Sequence, residues 1–238
     1  MPRFATHFTR SLAAALLLAG AAAIAQEPSR HLAPGFTARA ADSKLIVLPA
    51  DMELYSISAG GVVEPRADWT DAAQKHFASA LAGQRKRLGT HVTDLTPAQA
   101  DEFTEITTLH RAVADAISMH HRKLPLPTKG RRLDWSLGEA VQPLKQRTGA
   151  DYALFTWIRD SYASTERKAA MLGMALLGGI MVGGEQVGYA SLVDLNTGRV
   201  VWFNELNRMT GDLRDAAPAR ETVESLLKNF PDLKVATP

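Results

Sequence analysis

No cysteine occurs anywhere in the 238 residues. That absence excludes disulfides, thiolate metal ligands, a thiol nucleophile and an acylated amino-terminal cysteine. No run of apolar residues reaches the roughly 20 needed for a membrane-spanning helix; the two longest are Leu12–Ala25 and the stretch 169–184. Charge of one sign is not in excess. The formal net charge is +2, and without Arg3 and Arg10 it falls to zero, so global electrostatics give no reason to expect nucleic acid. The patterns GxSxG, HExxH and a glycine-rich loop ending in Gly-Lys-Ser/Thr are all missing. No cofactor or metal site and no catalytic set therefore follows from motif.

What is present begins with an export signal. Arg3 and Arg10 precede the apolar run Leu12–Ala25, which closes in the small-x-small triplet Ala23-Ile24-Ala25 before Gln26-Glu27-Pro28. A basic start, a short apolar middle and a small-residue site describe a cleavable signal peptide. The expectation is an exported, periplasmic protein cleaved after Ala25 and not lipid-modified. Residues 26–42, with Pro28, Pro34 and Gly35, are expected as a flexible tether. Residues 43–238 are expected as one α/β domain, long enough to be held by its core without covalent staples.

Along that domain, Leu45 to Leu48 is a short continuous apolar run suited to a buried strand. Asp68 is placed to cap a helix with Trp69, Ala73, Phe77, Ala80 and Leu81 on one face. His91–Leu95 reads as a weak edge strand. Thr96-Pro97-Ala98-Gln99 spells a capping box with proline at the first helical position. Phe103, Ile106, His110, Val113, Ile117 and His120 follow at helical spacing. Ser136-Leu-Gly-Glu139 predicts a second capping box, Pro143 a bend and Gly149 a stop. Tyr152–Ile158 reads as a strong strand. Val187–Leu195 and Val200–Glu205 flank Asn196-Thr197-Gly198, a hairpin with glycine at the position needing positive φ. Val223, Leu226, Leu227 and Phe230 form the inner face of a last helix. The fold class is α/β (α+β): a mixed sheet of about four or five strands with helices packed on it, ending in a β-hairpin and a C-terminal helix.

Three of these stretches carry a family resemblance. Lys44-Leu-Ile-Val-Leu-Pro49, Gly149-Ala-Asp-Tyr-Ala-Leu154 and Ser191-Leu-Val-Asp-Leu-Asn-Thr-Gly-Arg-Val-Val-Trp202 resemble the first strand, the central strand and the late hairpin of a group of exported bacterial proteins. The group comprises relatives of the curli secretion channel, penicillin-binding-protein activator lipoproteins and the amino-terminal domain of TolB. The resemblance implies a small α/β domain that contacts other envelope proteins. The chain departs from the group in having no cysteine to acylate and no pair of long alternating strands from which to build a membrane barrel.

Candidate chemistry is thin. Asp51 and Glu53 follow the first strand, and a fold that brought a histidine to them would make an envelope-acting hydrolase site. His110, His120 and His121 otherwise read as packed, hydrogen-bonded residues, because no pair has the i, i+4 spacing of a metal site. Arg122 to Arg132 is a basic loop expected to be solvated. The stretch 169–184 is uncharged, with three methionines and five glycines between Arg167-Lys168 and Glu185. Two readings stand: a helix packed into the core, or an exposed apolar patch that binds an envelope protein, a second copy or the membrane surface. On the second, the contact residues are Met171, Leu172, Met174, Leu176, Leu177, Ile180 and Met181. The functional expectation is a non-catalytic accessory protein in envelope assembly or secretion, acting by protein–protein contact. The alternatives are the hydrolase and a self-assembling structural protein.

Overall fold

A computed structural model describes residues 29–180 and 183–234. The signal segment and its cleavage site lie outside the described residues. The described chain is a seven-stranded mixed sheet with helices on both faces. Its centre is β5 (Tyr152–Ala163), whose apolar and aromatic residues suit a strand covered on both sides. On one edge of β5 lie β1 (Leu45–Val47) and β2 (Asp51–Ile57), end to end and both parallel to it. Val47 pairs with Leu154 and Asp51 with Trp157, so Leu48-Pro49-Ala50 spans only Phe155-Thr156. Proline, with no N–H to give a ladder, occupies the middle of this bulge.

β3 (Val63–Pro65) pairs antiparallel with β2, and β4 (Val92–Asp94) parallel with β1. The other edge of β5 takes the hairpin of β6 (Gln186–Asp194) and β7 (Val200–Arg208). The sheet thus exceeds the four or five strands expected because β2 stands apart from β1 across Pro49 and β3 has only three residues, below what hydrophobic periodicity can report.

Strand alternation divides the core into two layers. Leu45, Val47, Met52, Leu54, Leu154, Ile158 and Trp202 face α1 (Ala67–Ala82) and α7 (Ala216–Leu226), meeting Phe77, Leu81, Val223, Leu226, Leu227 and Phe230. Ile46, Leu48, Ala153, Phe155, Tyr189 and Phe203 face the opposite layer, with Ile106 and Ile117 from α4 (Thr104–Ile117), Phe103 from its junction with α3 (Pro97–Asp101), which has no buried residue of its own, and Leu133, Leu137, Val141 and Leu144. The short helices α2 (Arg85–Leu88) and α5 (Gln142–Thr148) complete the set up to β5.

Local signals mostly resolve as read. The capping box at Thr96 forms in both directions, Gly149 ends α5 in the left-handed region, and Gly198 turns the hairpin at φ +70°. A Cβ on Gly198 would lie 2.1 Å from the Gly138 carbonyl oxygen, so glycine is required there by contact as well as by φ.

Four expectations are corrected. Asp68 does not cap α1; it sits within the first turn and pairs with Arg66. The helix begun at Thr96 breaks at Phe103, whose ring is buried, and restarts as α4. Ser136 and Glu139 form no capping box: Gly138 takes φ +62° and a 3₁₀ turn, Gly138–Val141, precedes α5. Pro143 then falls in the first turn of α5, where its missing N–H costs nothing. Finally, the described part of the expected tether is packed. Leu32 bridges Trp202, Ala33 is buried and Arg39 is fully buried. The Arg39 guanidinium donates to the carbonyls of Pro231 (3.2 Å), Leu88 (2.6 Å) and Arg87 (3.2 Å) and lies 4.8 Å over the Phe230 ring. Three carbonyls and a ring face satisfy a cation that composition assigns to solvent. Burial lowers its pKa to about 10, so it stays charged at neutral pH.

Candidate functional site

Between β5 and β6 the chain leaves the sheet as an arm. Ser164 caps α6 (Thr165–Leu176), its hydroxyl accepting from the Arg167 N–H at 3.1 Å. No residue of α6 is buried. Leu172 is 66% exposed, Met174 42%, Leu176 81%, Leu177 84% and Ile180 95%. Met171 is half-buried and folds toward Gly183, while the Met174 methyl would lie 2.7 Å from a Cβ on Gly179. Met181 falls outside the described residues. The core-packed reading of 169–184 is therefore corrected. The sheet faces are already filled by α1 and α7 on one side and by Phe103, α4 and the segment 133–144 on the other, and α6 stands off the end of β5 without a layer to join.

The base of the arm is held by backbone. Ser164 N donates to Ile57 O (2.9 Å), Ala163 N to Gly183 O (2.6 Å) and Ser161 N to Glu185 O (3.0 Å). A Cβ on Gly184 would lie 2.0 Å from Ser161 O, so the return leg needs glycine to meet the strand. Beneath the base is a buried polar network. The Asp160 carboxylate accepts from the Tyr162 hydroxyl and from Gln186 Nε2 (2.5 Å). Gln186 Oε1 accepts from Arg208 Nε (2.8 Å) and Thr222 Oγ1 (3.1 Å), and Tyr162 accepts from Leu213 N (2.7 Å). Burial raises the Asp160 pKa from 3.8 to about 6, against the pull of its two side-chain donors.

The hydrolase candidates come together only in part. Asp51 and Glu53 share a face of β2 and meet Arg159 from β5, at 2.8 Å and 3.6 Å; Arg111 approaches Asp51 at 3.3 Å. Both guanidiniums also lie over the Trp157 ring, Arg159 at 4.9 Å and Arg111 at 5.5 Å. A groove of about 460 Å³ is lined by Asp51, His110, Arg111 and Trp157 but not by Glu53. His110 Nε2 hydrogen-bonds Ser191 Oγ, with both residues buried and the imidazole stacked on Phe155 at 3.9 Å. Desolvation drops the His110 pKa to about 3. A ring that weakly basic takes no proton at neutral pH, and its Ser191 neighbour is closed to substrate, so this pair reads as core. The Ser225-Leu-Leu-Lys228 spacing also occurs, but Leu226 and Leu227 within it are core residues and Lys228 is exposed. His121 bonds the Arg30 carbonyl (2.7 Å), and His120 bonds that of Leu124 (3.1 Å). The three histidines thus serve separate partners, as their spacing predicts.

Sequence reasoning missed the Asp160–Gln186–Arg208 network. Its members are scattered over β5, β6 and β7, and no local pattern marks them. Only the alternation of β5, which turns Asp160 inward beside Ile158 and Tyr162, hinted at it.

No family model matches the chain, and no curated protein matches it. Among solved structures it is similar to PelC, a dodecamer, from Paraburkholderia phytofirmans, at 16% identity over 80% of this chain and 90% of that one, TM-score 0.36. It is similar to the LpoB C-terminal domain from Salmonella enterica at 12% identity over 75% and 88%, TM-score 0.29. It is similar to lipoprotein GNA1162 from Neisseria meningitidis at 15% identity over 79% and 94%, TM-score 0.31.

Proposed function

We propose that this chain is an exported accessory protein of the cell envelope that works by contact rather than by turnover, and that the apolar arm is its contact element. The observation that carries the proposal is the exposure of Leu172, Met174, Leu176, Leu177 and Ile180 on one projection. Large apolar side chains gathered outside a filled core signify a surface meant to be covered. Burying each is worth about 1.5–3 kcal/mol before the costs of association. The export signal read at residues 1–25 and the three motifs that resemble those of envelope proteins support a periplasmic contact, with residues 43–238 acting as one domain.

Cross-linking in intact cells tests this. A photo-reactive residue at Leu176 is expected to capture an envelope component, while one at Thr197, on the exposed hairpin turn, captures none. Equal capture at both positions, or none at Leu176, overturns the assignment of the arm.

A further inference from the structure

The arm's own chemistry says what it touches. Resting on the reading of the arm as the contact element, we infer that its occupant is a lipid monolayer, into which the tip dips without crossing.

Four observations point there. First, the exposed side chains are not confined to one stripe. At about 100° per residue, Leu172, Met174 and Leu176 fall near 0°, 200° and 40° around the helix, and Leu177 and Ile180 extend the apolar surface beyond its end. A protein groove or a second helix covers one stripe, whereas an apolar projection without a polar side fits a medium that surrounds it. Second, charge stops where the projection starts. Nothing between Lys168 and Glu185 is charged; Glu166, Arg167 and Lys168 precede the apolar run and Glu185 follows it, on the two legs of the base, the depth at which headgroups lie. Third, the base carries a wider apolar collar. Exposed Val62 ends the β2–β3 turn and exposed Val63 opens β3, and Arg167 touches that turn through the Ser58 carbonyl (3.2 Å). Exposed Met209 lines the small cavity that Gly183 and Gly184 also line. Of eleven large hydrophobic side chains exposed among the described residues, eight belong to the arm or this collar. Fourth, the projection is short. The eight helical residues after Lys168 reach about 12 Å, against a hydrocarbon core of about 30 Å, and no described helix is long and apolar enough to cross a membrane. The tip enters one leaflet, and the charged base stops it.

The lack of native cysteine makes the test specific to position. Leu176→Cys and Thr197→Cys are each labelled in the full chain with an environment-sensitive fluorophore. The chains are then mixed with vesicles of phosphatidylethanolamine and phosphatidylglycerol. At position 176 a blue shift with a several-fold rise in emission is expected, quenched by lipids carrying a shallow spin label. Position 197 should not respond, and adding Leu172→Glu and Ile180→Glu to the labelled 176 chain should abolish the response. Silence at 176 with vesicles, together with a protein adduct from Leu176 in cells, overturns the lipid inference and leaves the arm as a protein-docking element. A change at 176 that needs no lipid and grows with protein concentration overturns it in favour of a second copy. Silence at 176 with no adduct in cells overturns both the inference and the reading on which it rests.

Discussion

Replacing Asp160 with Asn should make the protein more stable at pH 8 and change its pH dependence in a defined window. In the native state the carboxylate is buried beneath the arm and titrates at about 6 rather than 3.8. Below about pH 4 it is protonated in native and unfolded chains alike. Between about 4 and 6 the native state holds a proton that the unfolded chain has lost, so stability falls as pH rises through that interval. Above about 6 both forms are charged and the deficit is constant. The raised value corresponds to about 3 kcal/mol at neutral pH. Asparagine keeps an oxygen to accept from Tyr162 and Gln186 and carries no charge to desolvate, though its amide needs an acceptor, which offsets part of the gain at about 1 kcal/mol. The charged groups around it, Arg208, Asp212 and Arg214, are the same in both proteins. The measurement is the urea midpoint of wild type and Asp160→Asn at half-unit steps from pH 4 to 8. The variant's advantage should grow from pH 4 to 6 and then level off. A constant difference across the range would refute the argument, because it would mean that the Tyr162 and Gln186 hydrogen bonds cancel the desolvation completely.

Three further outcomes follow from the same geometry. Arg39→Met should lower stability by about 2–4 kcal/mol, since the Leu88, Arg87 and Pro231 carbonyls lose their donor; a urea midpoint within error of wild type would restore the tether reading. Gly184→Ala should cost several kcal/mol or shift the arm's return leg, because its Cβ would meet Ser161 O at 2.0 Å; calorimetry and amide exchange of residues 161–163 report it. Leu176→Glu with Ile180→Glu should leave the thermal midpoint nearly unchanged, as expected for exposed sites, while removing capture by the arm in cells. A large loss of stability would return 169–184 to the core.

The elements that could be read along the chain are those whose signal is local. The Thr96 box, the Gly149 stop, the Asn196-Thr197-Gly198 turn and the strand from Tyr152 each depend on neighbours within a few residues, and each stands where it was read. Asp68 and Ser136 were misread because several conformations compete for the same short polar side chains, and the packing of Trp69 and the close approach of Gly138 to Gly198 chose among them. The strands at Leu45 and Val92 also stand where they were read, but β3 was not separable in advance: its three residues are all exposed, and it is a strand through its pairing with β2. Asp51 and His110 could be named as candidates, but the arginines that neutralise the one and the burial that silences the other are contributed by α4 and β5.

By itself the sequence determined what these 238 residues do not hold: cysteine, an apolar run of about 20 residues, and the GxSxG, HExxH and phosphate-loop patterns. It also determined the order of the main helices and strands, because hydrophobic period and capping chemistry act over a few residues. It could not determine whether the uncharged run after Lys168 lies inside or outside. An apolar side chain is equally at home in a core or under a partner, and composition is the same in both. That choice belonged to the tertiary structure. Once α1 and α7 fill one face of the sheet and Phe103, α4 and the segment 133–144 the other, no apolar layer is left for α6. The same packing turned Arg39 inward and Ile180 outward, because burial depends on which carbonyls and surfaces the fold brings within reach and not on the residue's own polarity.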